Sequence, residues 1–556
     1  TEERIARIPF IVSKDSLVIQ LVPAMDIAMI LYVLQVLWTV GRGLLSRSKT
    51  AQFEVHALPN SPSLPTSWAG RLPVPGTKDG NALFFWLFQR EDPAYDDNLI
   101  IWFNGGPGCS SLIGLVNGNG PISFDGNSTQ LKQNPYSWTR LGHVLYVDQP
   151  VGTGFSIASS PYPVHDNERT TADFTRWLHL FFAYFPHLQS KQIHLIGESY
   201  AGIYIPYFAN ALLEGEYALP LRLSSMSLGD GSWGNAAAMS SVAMGAYMRS
   251  QNDLLQIPQD VMNIFMEADQ TCGFDDALAE AAVFPPKGKI HIPGNLGNVS
   301  YRRQQQQQRR DMTLALDGEC DIQPTTAAEV YTSIFNSTCY GPCATFSTAV
   351  DYLLARGTDK QACFDVYDIH HDCNTIDPLH LLEAYFNRAD VQATLHVKNS
   401  STYSPCNPTI LRTLLEAPSP IPPEYHLLPN LVTKHNISLH LYSGEWDMLI
   451  NHLGAELSIQ NMTWRGVQGF SQNPSRLFYG DDAVPALSFS ATERSPKATL
   501  AKTVRAKALG GVAGTWAAER GVSYHLFQGA GHSVFANKPR EMFAYVRDVV
   551  VHGKAG

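Results

Sequence analysis

The chain has 556 residues, 44% of them hydrophobic and 11% aromatic, with a formal charge of -10. That is enough apolar material for a large core, and although length alone suggests several domains, α/β units run long. The acidic balance excludes a nucleic-acid binder, which needs a basic face for phosphates.

The chain opens on Thr1 rather than Met, so its first tens of residues are read as a start assigned too far upstream. Ile27 to Val40 is an uncharged run of the length of a signal-peptide core, shorter than the roughly 20 apolar residues that span a bilayer, and Met25 offers a natural initiator. No basic residues lead into the run, and Arg42, Arg47 and Lys49 follow it. A cleaved signal is expected for residues 1–50. The alternative is an uncleaved anchor, and only in that case does the protein meet a membrane.

Two counts address the compartment. Sequons of the form Asn-X-Ser/Thr begin at Asn127, Asn298, Asn336, Asn399, Asn436 and Asn461, each an acceptor for N-glycosylation in a secreted chain. The eight cysteines are even in number, with Cys272, Cys320, Cys339, Cys343, Cys363 and Cys373 in one stretch and Cys109 and Cys406 outside it. Disulfides in an oxidising compartment are expected, and the six clustered cysteines alone allow 15 pairings. A metal site on Cys339, Cys343, His370, His371, Asp372 and Cys373 is the rival, but it lacks zinc-finger spacing. No metal or other cofactor is expected.

In chain order, Leu99–Phe103, Val144–Asp148 and Ile193–Gly197 are short, almost wholly apolar runs bounded by turn residues, and a helical pattern covers Ala172–Phe185. Such runs suit strands covered on both faces of a mostly parallel sheet. Ser438–Tyr442 and Ser523–Phe527 are late strands of the same kind. Between them lie the cysteine cluster, helical patterns and Tyr301–Arg310, YRRQQQQQRR, too polar to pack in a core. The expected organisation is an α/β core in two parts, residues 51–232 and 425–556, interrupted by a helical, disulfide-rich insertion over 233–424.

Three strand ends carry the chemistry. In Gly197-Glu198-Ser199-Tyr200-Ala201-Gly202, small residues two positions either side of Ser199 permit a tight strand-to-helix turn that projects the hydroxyl, a variant of the G-x-S-x-G elbow. The same turn leaves the Tyr200 N–H at a helix N-terminus, facing developing negative charge. A serine that only caps the helix fits the same residues. After the first strand, Asn104-Gly105-Gly106-Pro107-Gly108-Cys109-Ser110-Ser111 turns backbone amides towards a ligand, with Gly106 as second oxyanion donor beside Tyr200. Late in the chain, Asp447 ends one strand and His532 sits on the glycine-rich turn 529–532 after another. Ser199, Asp447, His532 is the order of an α/β-hydrolase triad.

GESYAG, WFNGGPGCSS, VDQPVGTGFS, YFNRADVQATLHV, YSGEWD with Asn451-His452-Leu453-Gly454 behind it, and GAGH together resemble the serine carboxypeptidases over Leu64 to about Asp548. Leu228-Gly229-Asp230-Gly231 with Trp233 is similar to the fungal members. The resemblance implies an α/β-hydrolase fold with a helical insertion, secretory or vacuolar placement, N-glycans, and peptide substrates shortened from the C-terminus at acid pH. It implies Ser199 as nucleophile, His532 as base then acid, Asp447 as its orienter, and Gly106 and Tyr200 as oxyanion donors. It further implies that Asn104, the Gly105 N–H and a protonated Glu198 hold the substrate carboxylate, and that Cys109 pairs with Cys406. Without a substrate, Glu198 is also what a helix N-terminus favours.

Two departures stand out. The family's second carboxylate-binding glutamate falls at Gly118, and its methionine after the catalytic histidine is Ser533. Gly118→Glu is therefore expected to tighten binding of peptide acids. An acyltransferase or esterase of the same fold would suit Gly118. A non-catalytic glycoprotein would not need the complete Ser199, Asp447, His532 set. The dibasic pairs Arg302-Arg303 and Arg309-Arg310 mark an expected site of nicking.

Overall fold

In the computed structural model, residues 49–78, 80–293, 323–336, 343–359, 364–371, 378–397, 402–417, 421–480 and 511–554 are described. The segment Ile27–Val40, the tract Tyr301–Arg310, the sequons at Asn298 and Asn399, and Cys320, Cys339, Cys363, Asp372 and Cys373 lie outside them. No helix among the described residues is long and apolar enough to cross a membrane.

Eleven strands form one sheet: β1 Glu54–Val55, β2 Ser67–Pro73, β3 Ala82–Phe88, β4 Asn98–Phe103, β5 His143–Asp148, β6 Gln192–Glu198, β7 Arg222–Gly229, β8 Ser438–Gly444, β9 Arg476–Tyr479, β10 Val512–Glu519 and β11 Val522–Phe527. Their spatial order is β1-β2-β3-β5-β4-β6-β7-β8-β11-β10-β9. The run β5-β4-β6-β7-β8-β11 is parallel, and the strands on either side join it antiparallel. This is the α/β-hydrolase arrangement expected above.

The apolar runs became strands because both faces are covered. Phe85, Ile101, Phe103, Leu145 and Leu195 join one core with helix α1 (Asn167–Tyr184) and helix α2 (Ala201–Glu214), contributing Phe174, Trp177, Phe181 and Phe208. Their neighbours Trp86, Ile100, Trp102 and Tyr146 join a second core on the opposite face with Met542, Phe543 and Tyr545 of helix α3 (Pro539–Tyr545). A side-chain period of two sends alternate residues to opposite faces, so a strand covered twice reads as continuously apolar. Helix α1 starts where Asp166 accepts the Arg169 N–H, satisfying one of the first-turn donors.

Residues 230–437 separate two strands, β7 and β8, that pair directly. The described part of this stretch is helical, from Ala243–Ser250 to Leu427–Thr433. Cys272 and Cys343 are disulfide-bonded within it, beside a small core of Ala238, Val242, Phe274 and Leu457. That bond removes Cys343 from the metal set weighed above.

Candidate active site

Parallel register brings the chemistry to one edge of the sheet. Glu198 pairs with Gly229, Gly229 with Tyr442, and Gly444 with Phe527, so β6, β7, β8 and β11 end side by side. The loops leaving those ends carry Ser199, Asp230, Asp447 and His532.

Ser199 is half-buried at φ 61°, a left-handed conformation costing a non-glycine residue roughly 1–2 kcal/mol. Three backbone bonds hold it there: its N–H donates to Gly229 O (2.9 Å), and its carbonyl accepts from Gly202 N (2.9 Å) and Ser232 N (3.0 Å). The small neighbours are required by contact. A Cβ at Gly197 would lie 2.5 Å from Phe103 O and 2.7 Å from the Ala201 Cβ.

The glycine loop after β4 lies against this elbow. A Cβ at Gly105 would sit 2.7 Å from Ser199 Cβ and 2.8 Å from Glu198 O, and would run into the Tyr200 nitrogen. Gly106 has φ 110°, and the N–H groups of Gly105 and Gly106 have no hydrogen-bond acceptor among the described residues. The loop is tied to the insertion by the Cys109–Cys406 disulfide and by Ser110 N donating to Pro405 O (2.7 Å) and Asn407 N to Gly108 O (2.9 Å).

Asp447 is fully buried, and His532 is 6% exposed. Nδ1 of His532 lies 2.7 Å from Asp447 Oδ2, while Oδ1 accepts from Leu449 N (2.9 Å) and Ile450 N (3.3 Å). With Nδ1 donating, Nε2 is the basic nitrogen, and it is buried without a hydrogen-bond partner among the described residues. Burial alone would lower the imidazole's pKa; the Asp447 carboxylate, with Glu198 and Asp365 beyond it, reverses this and leaves a net rise. His532 Nε2 makes no hydrogen bond to Ser199 here; catalytic hydrogen bonds of this kind commonly tighten only when substrate binds.

Glu198 is 5% exposed. Burial pushes its carboxyl up to about 7, against the opposing pull of His532, Ser533 and Asn104. Its Oε1 accepts from Asn104 Nδ2 (2.8 Å), and Ser533 Oγ lies 3.4 Å from Oε2. Asn104 is itself fixed, its Oδ1 accepting from Trp102 Nε1 (2.7 Å) and Gly114 N (3.0 Å). Asn104, Gly105 and Glu198 thus form a buried polar cluster beside the elbow, with half-buried Ser533 at its edge and a carboxyl neutral through the acid range. Such a cluster can donate to an anion without repelling it.

The chain matches the serine carboxypeptidase family over residues 61–552. It belongs to that family. It is 44% identical to a carboxypeptidase Y homolog of Arthroderma benhamiae over 520 residues, 92% of this chain and 96% of that protein. It is 29% identical to a pheromone-processing carboxypeptidase kex1 of Aspergillus oryzae over 459 residues, 79% of this chain and 62% of that one. The solved structure of Kex1(delta)p, a prohormone-processing carboxypeptidase from Saccharomyces cerevisiae, superposes with TM-score 0.63 at 22% identity, covering 91% and 96% of the two chains. The protein is therefore a hydrolase, a serine carboxypeptidase of α/β-hydrolase fold.

Within this carboxypeptidase, the structure corrects the expectation about Gly118. The glycine has φ 156° and ψ -12°, and a Cβ there would meet Phe535 O at 2.5 Å. A glutamate cannot enter without displacing the backbone after His532, so Gly118→Glu does not rebuild a carboxylate pair. The sequons also differ in access: Asn127, Asn336 and Asn436 are exposed, whereas Asn461 is buried and accepts from Ile290 N (3.0 Å). Asn461 is withdrawn as a glycan acceptor, since its amide is packed inside.

One set of functional contacts escaped the sequence. The segment 364–371 grips the loops that carry Asp447 and His532: Tyr367 O accepts from His532 N (2.7 Å), Val366 O from Met448 N and Leu449 N (3.1 Å each), and Trp446 O accepts from Ile369 N (3.1 Å). The Tyr367 ring lies edge-on to the His532 imidazole at 5.2 Å. These are backbone pairings across large sequence separations, for which no local pattern exists.

Proposed function

We propose that this carboxypeptidase removes C-terminal residues at acid pH, with Ser199 attacking the scissile carbonyl, His532 taking and returning the proton, and Asp447 holding the imidazole. Gly106 and Tyr200 N–H groups bind the oxyanion. Asn104, the Gly105 N–H and neutral Glu198 receive the substrate's terminal carboxylate, and water then releases the acyl-enzyme.

The observation that carries this reading is the 2.7 Å bond from buried His532 Nδ1 to Asp447 at the same sheet edge as the strained Ser199 elbow. The described disulfides, Cys109–Cys406 and Cys272–Cys343, support placement in the secretory pathway, secreted or vacuolar, with glycans on Asn127, Asn336 and Asn436. Residues 51–232 and 425–556 serve as the catalytic core and 233–424 as the insertion over it. The test is twofold. A fluorophosphonate probe should label wild type and not Ser199→Ala, and blocked dipeptide acids should be cleaved faster than their C-terminal amides. Labelling at another residue, or equal rates on acids and amides, overturns the reading.

A further inference from the structure

Asp230 stands at the end of β7, between the strand that delivers Ser199 and the strand that delivers Asp447. It is 1% exposed and, at φ 42°, shares the strained backbone of the nucleophile. Its N–H donates to Tyr442 O (2.9 Å), and its Oδ1 accepts from Gly444 N (2.9 Å), the residue at which β8 turns towards Asp447. Its Oδ2 is buried and receives no hydrogen bond from a donor, although the side chain lies in hydrogen-bonding contact with that of Asp447.

Two buried carboxyls in contact cannot both be ionised without a large electrostatic penalty, so one proton is held between them. Asp447 already accepts Nδ1 of His532 and two backbone N–H groups, all of which favour its ionised form. Asp230 accepts one backbone N–H. The proton therefore belongs to Asp230. We propose that Asp230 is a positioning residue of the triad, its Oδ2–H donating to the Asp447 carboxylate while its Oδ1 holds the Gly444 N–H, so that the anion orienting His532 is fixed from the side opposite the imidazole. The inference rests on the triad assignment above.

The titratable groups around it agree with a neutral carboxyl. Burial and then the Asp447 charge push Asp230 well above the usual carboxylate range, with Glu198 at the end of β6 adding to the rise. The phenols of Tyr442 on β8, Tyr524 on β11 and Tyr247 in the helix Ala243–Ser250 surround Asp230 and are themselves raised, first by burial. His452, behind Asp447, is held neutral by burial, down to about 4.

The test compares Asp230→Ala and Asp230→Asn in the full-length enzyme, by kcat, KM and the pH profile of kcat on a blocked dipeptide acid. Alanine removes the donor to Asp447 and strands the Gly444 N–H, and should lower kcat about ten- to a hundredfold with KM within about twofold. It should also move the acid limb of the profile, because the His532 imidazole, raised by the Asp447 carboxylate against burial, loses the fixed geometry of that contact. Asparagine keeps an acceptor for Gly444 and an N–H donor for Asp447, and should recover kcat to within about threefold of wild type with the acid limb in place. Wild-type kcat and pH profile in Asp230→Ala overturns the proposal. So does a soluble Asp230→Asn that loses more than about tenfold, which decides the matter even if the alanine variant does not fold. Fluorophosphonate labelling of Ser199 in the same samples separates failure of this inference from failure of the triad assignment.

Discussion

Glu198→Gln tests the carboxylate site most directly. Wild-type Glu198 titrates at about 7 because it is buried, so it is a neutral donor at pH 5 and an anion above pH 8. The substrate's own carboxyl, with a pKa of about 3.5 in a peptide, stays ionised throughout this window. Binding a peptide acid above pH 7 then requires proton uptake by Glu198, and kcat/KM should fall about tenfold per pH unit. His532 titrates too, but equally for acid and amide substrates, so the ratio of kcat/KM on a blocked dipeptide to that on its amide isolates Glu198. Glutamine accepts from Asn104 and donates towards the anion at every pH. The variant should keep most of the wild-type preference for acids at pH 5 and hold it to pH 9. Glu198→Ala should lose about 1.5–3 kcal/mol of acid binding at pH 5, ten- to a hundredfold. A ratio that is flat with pH in wild type, or falls identically in Glu198→Gln, refutes the reasoning.

Other expectations follow from the same geometry. Ser199→Ala should reduce kcat by roughly six orders of magnitude with the melting profile retained, as measured by single-turnover kinetics and calorimetry; most activity surviving would remove Ser199 as nucleophile. Gly118→Ala should lower stability by about 1–3 kcal/mol, seen as a reduced denaturation midpoint, because its Cβ meets Phe535 O; acids and amides should suffer alike. Cleavage between Arg302 and Arg310 should give two pieces only on a reducing gel, since Cys272–Cys343 and Cys109–Cys406 both bridge the cut. His440 is held neutral by burial, down to about 3, so the unfolded chain takes up its proton first as pH falls below 6.5. This group withdraws stability between pH 6.5 and 3 at up to about 1.4 kcal/mol per unit, and in denaturant titrations His440→Gln should gain about 2 kcal/mol relative to wild type from pH 7 to 5.

The parts of the fold that were legible in the sequence are those where burial on both faces leaves an unbroken apolar run, as in β4, β5, β6, β8 and β11. The strand β7, Arg222–Gly229, was not singled out, because its serines look like a loop. Ser225 and Ser227 are buried: Ser225 Oγ lies 2.7 Å from His194 Nδ1, and Ser227 Oγ lies 3.0 Å from Tyr545 OH. Partners from β6 and α3 satisfy those hydroxyls, and neither partner is visible locally. The three residues proposed as the triad could be picked out because each lies at a strand end with its own glycine signature. The role of Asp230 was not, since only the register β6-β7-β8 sets it between Ser199 and Asp447. Gly118 shows the converse limit, in that the departure was visible while the backbone carbonyl enforcing it, Phe535 O, lies far away in sequence.

Burial, the device that prepares Glu198, also sets how the fold meets acid. Beneath the site, His194, His440 and His525 are fully buried and held down to about 4, 3 and 3. From pH 7 to 5 each such histidine withdraws about 2 kcal/mol of stability, because the unfolded chain is protonated and the folded one is not. Glu198 and Glu424 are pushed up to about 7 by the same burial, and carry the opposite sign. Their folded pKa lies above the unfolded value, so stability is present at low pH and is lost as pH rises through 7. Each returns about 2 kcal/mol over the same interval. Asp148 and Asp269, raised to about 6, add in that direction. The two sets offset each other to first order. A buried carboxyl such as Glu198 would by itself destabilise the fold at neutral pH, and histidines buried in the sheet would by themselves destabilise it in acid. Across the range in which Glu198 is neutral the two sets therefore act against each other.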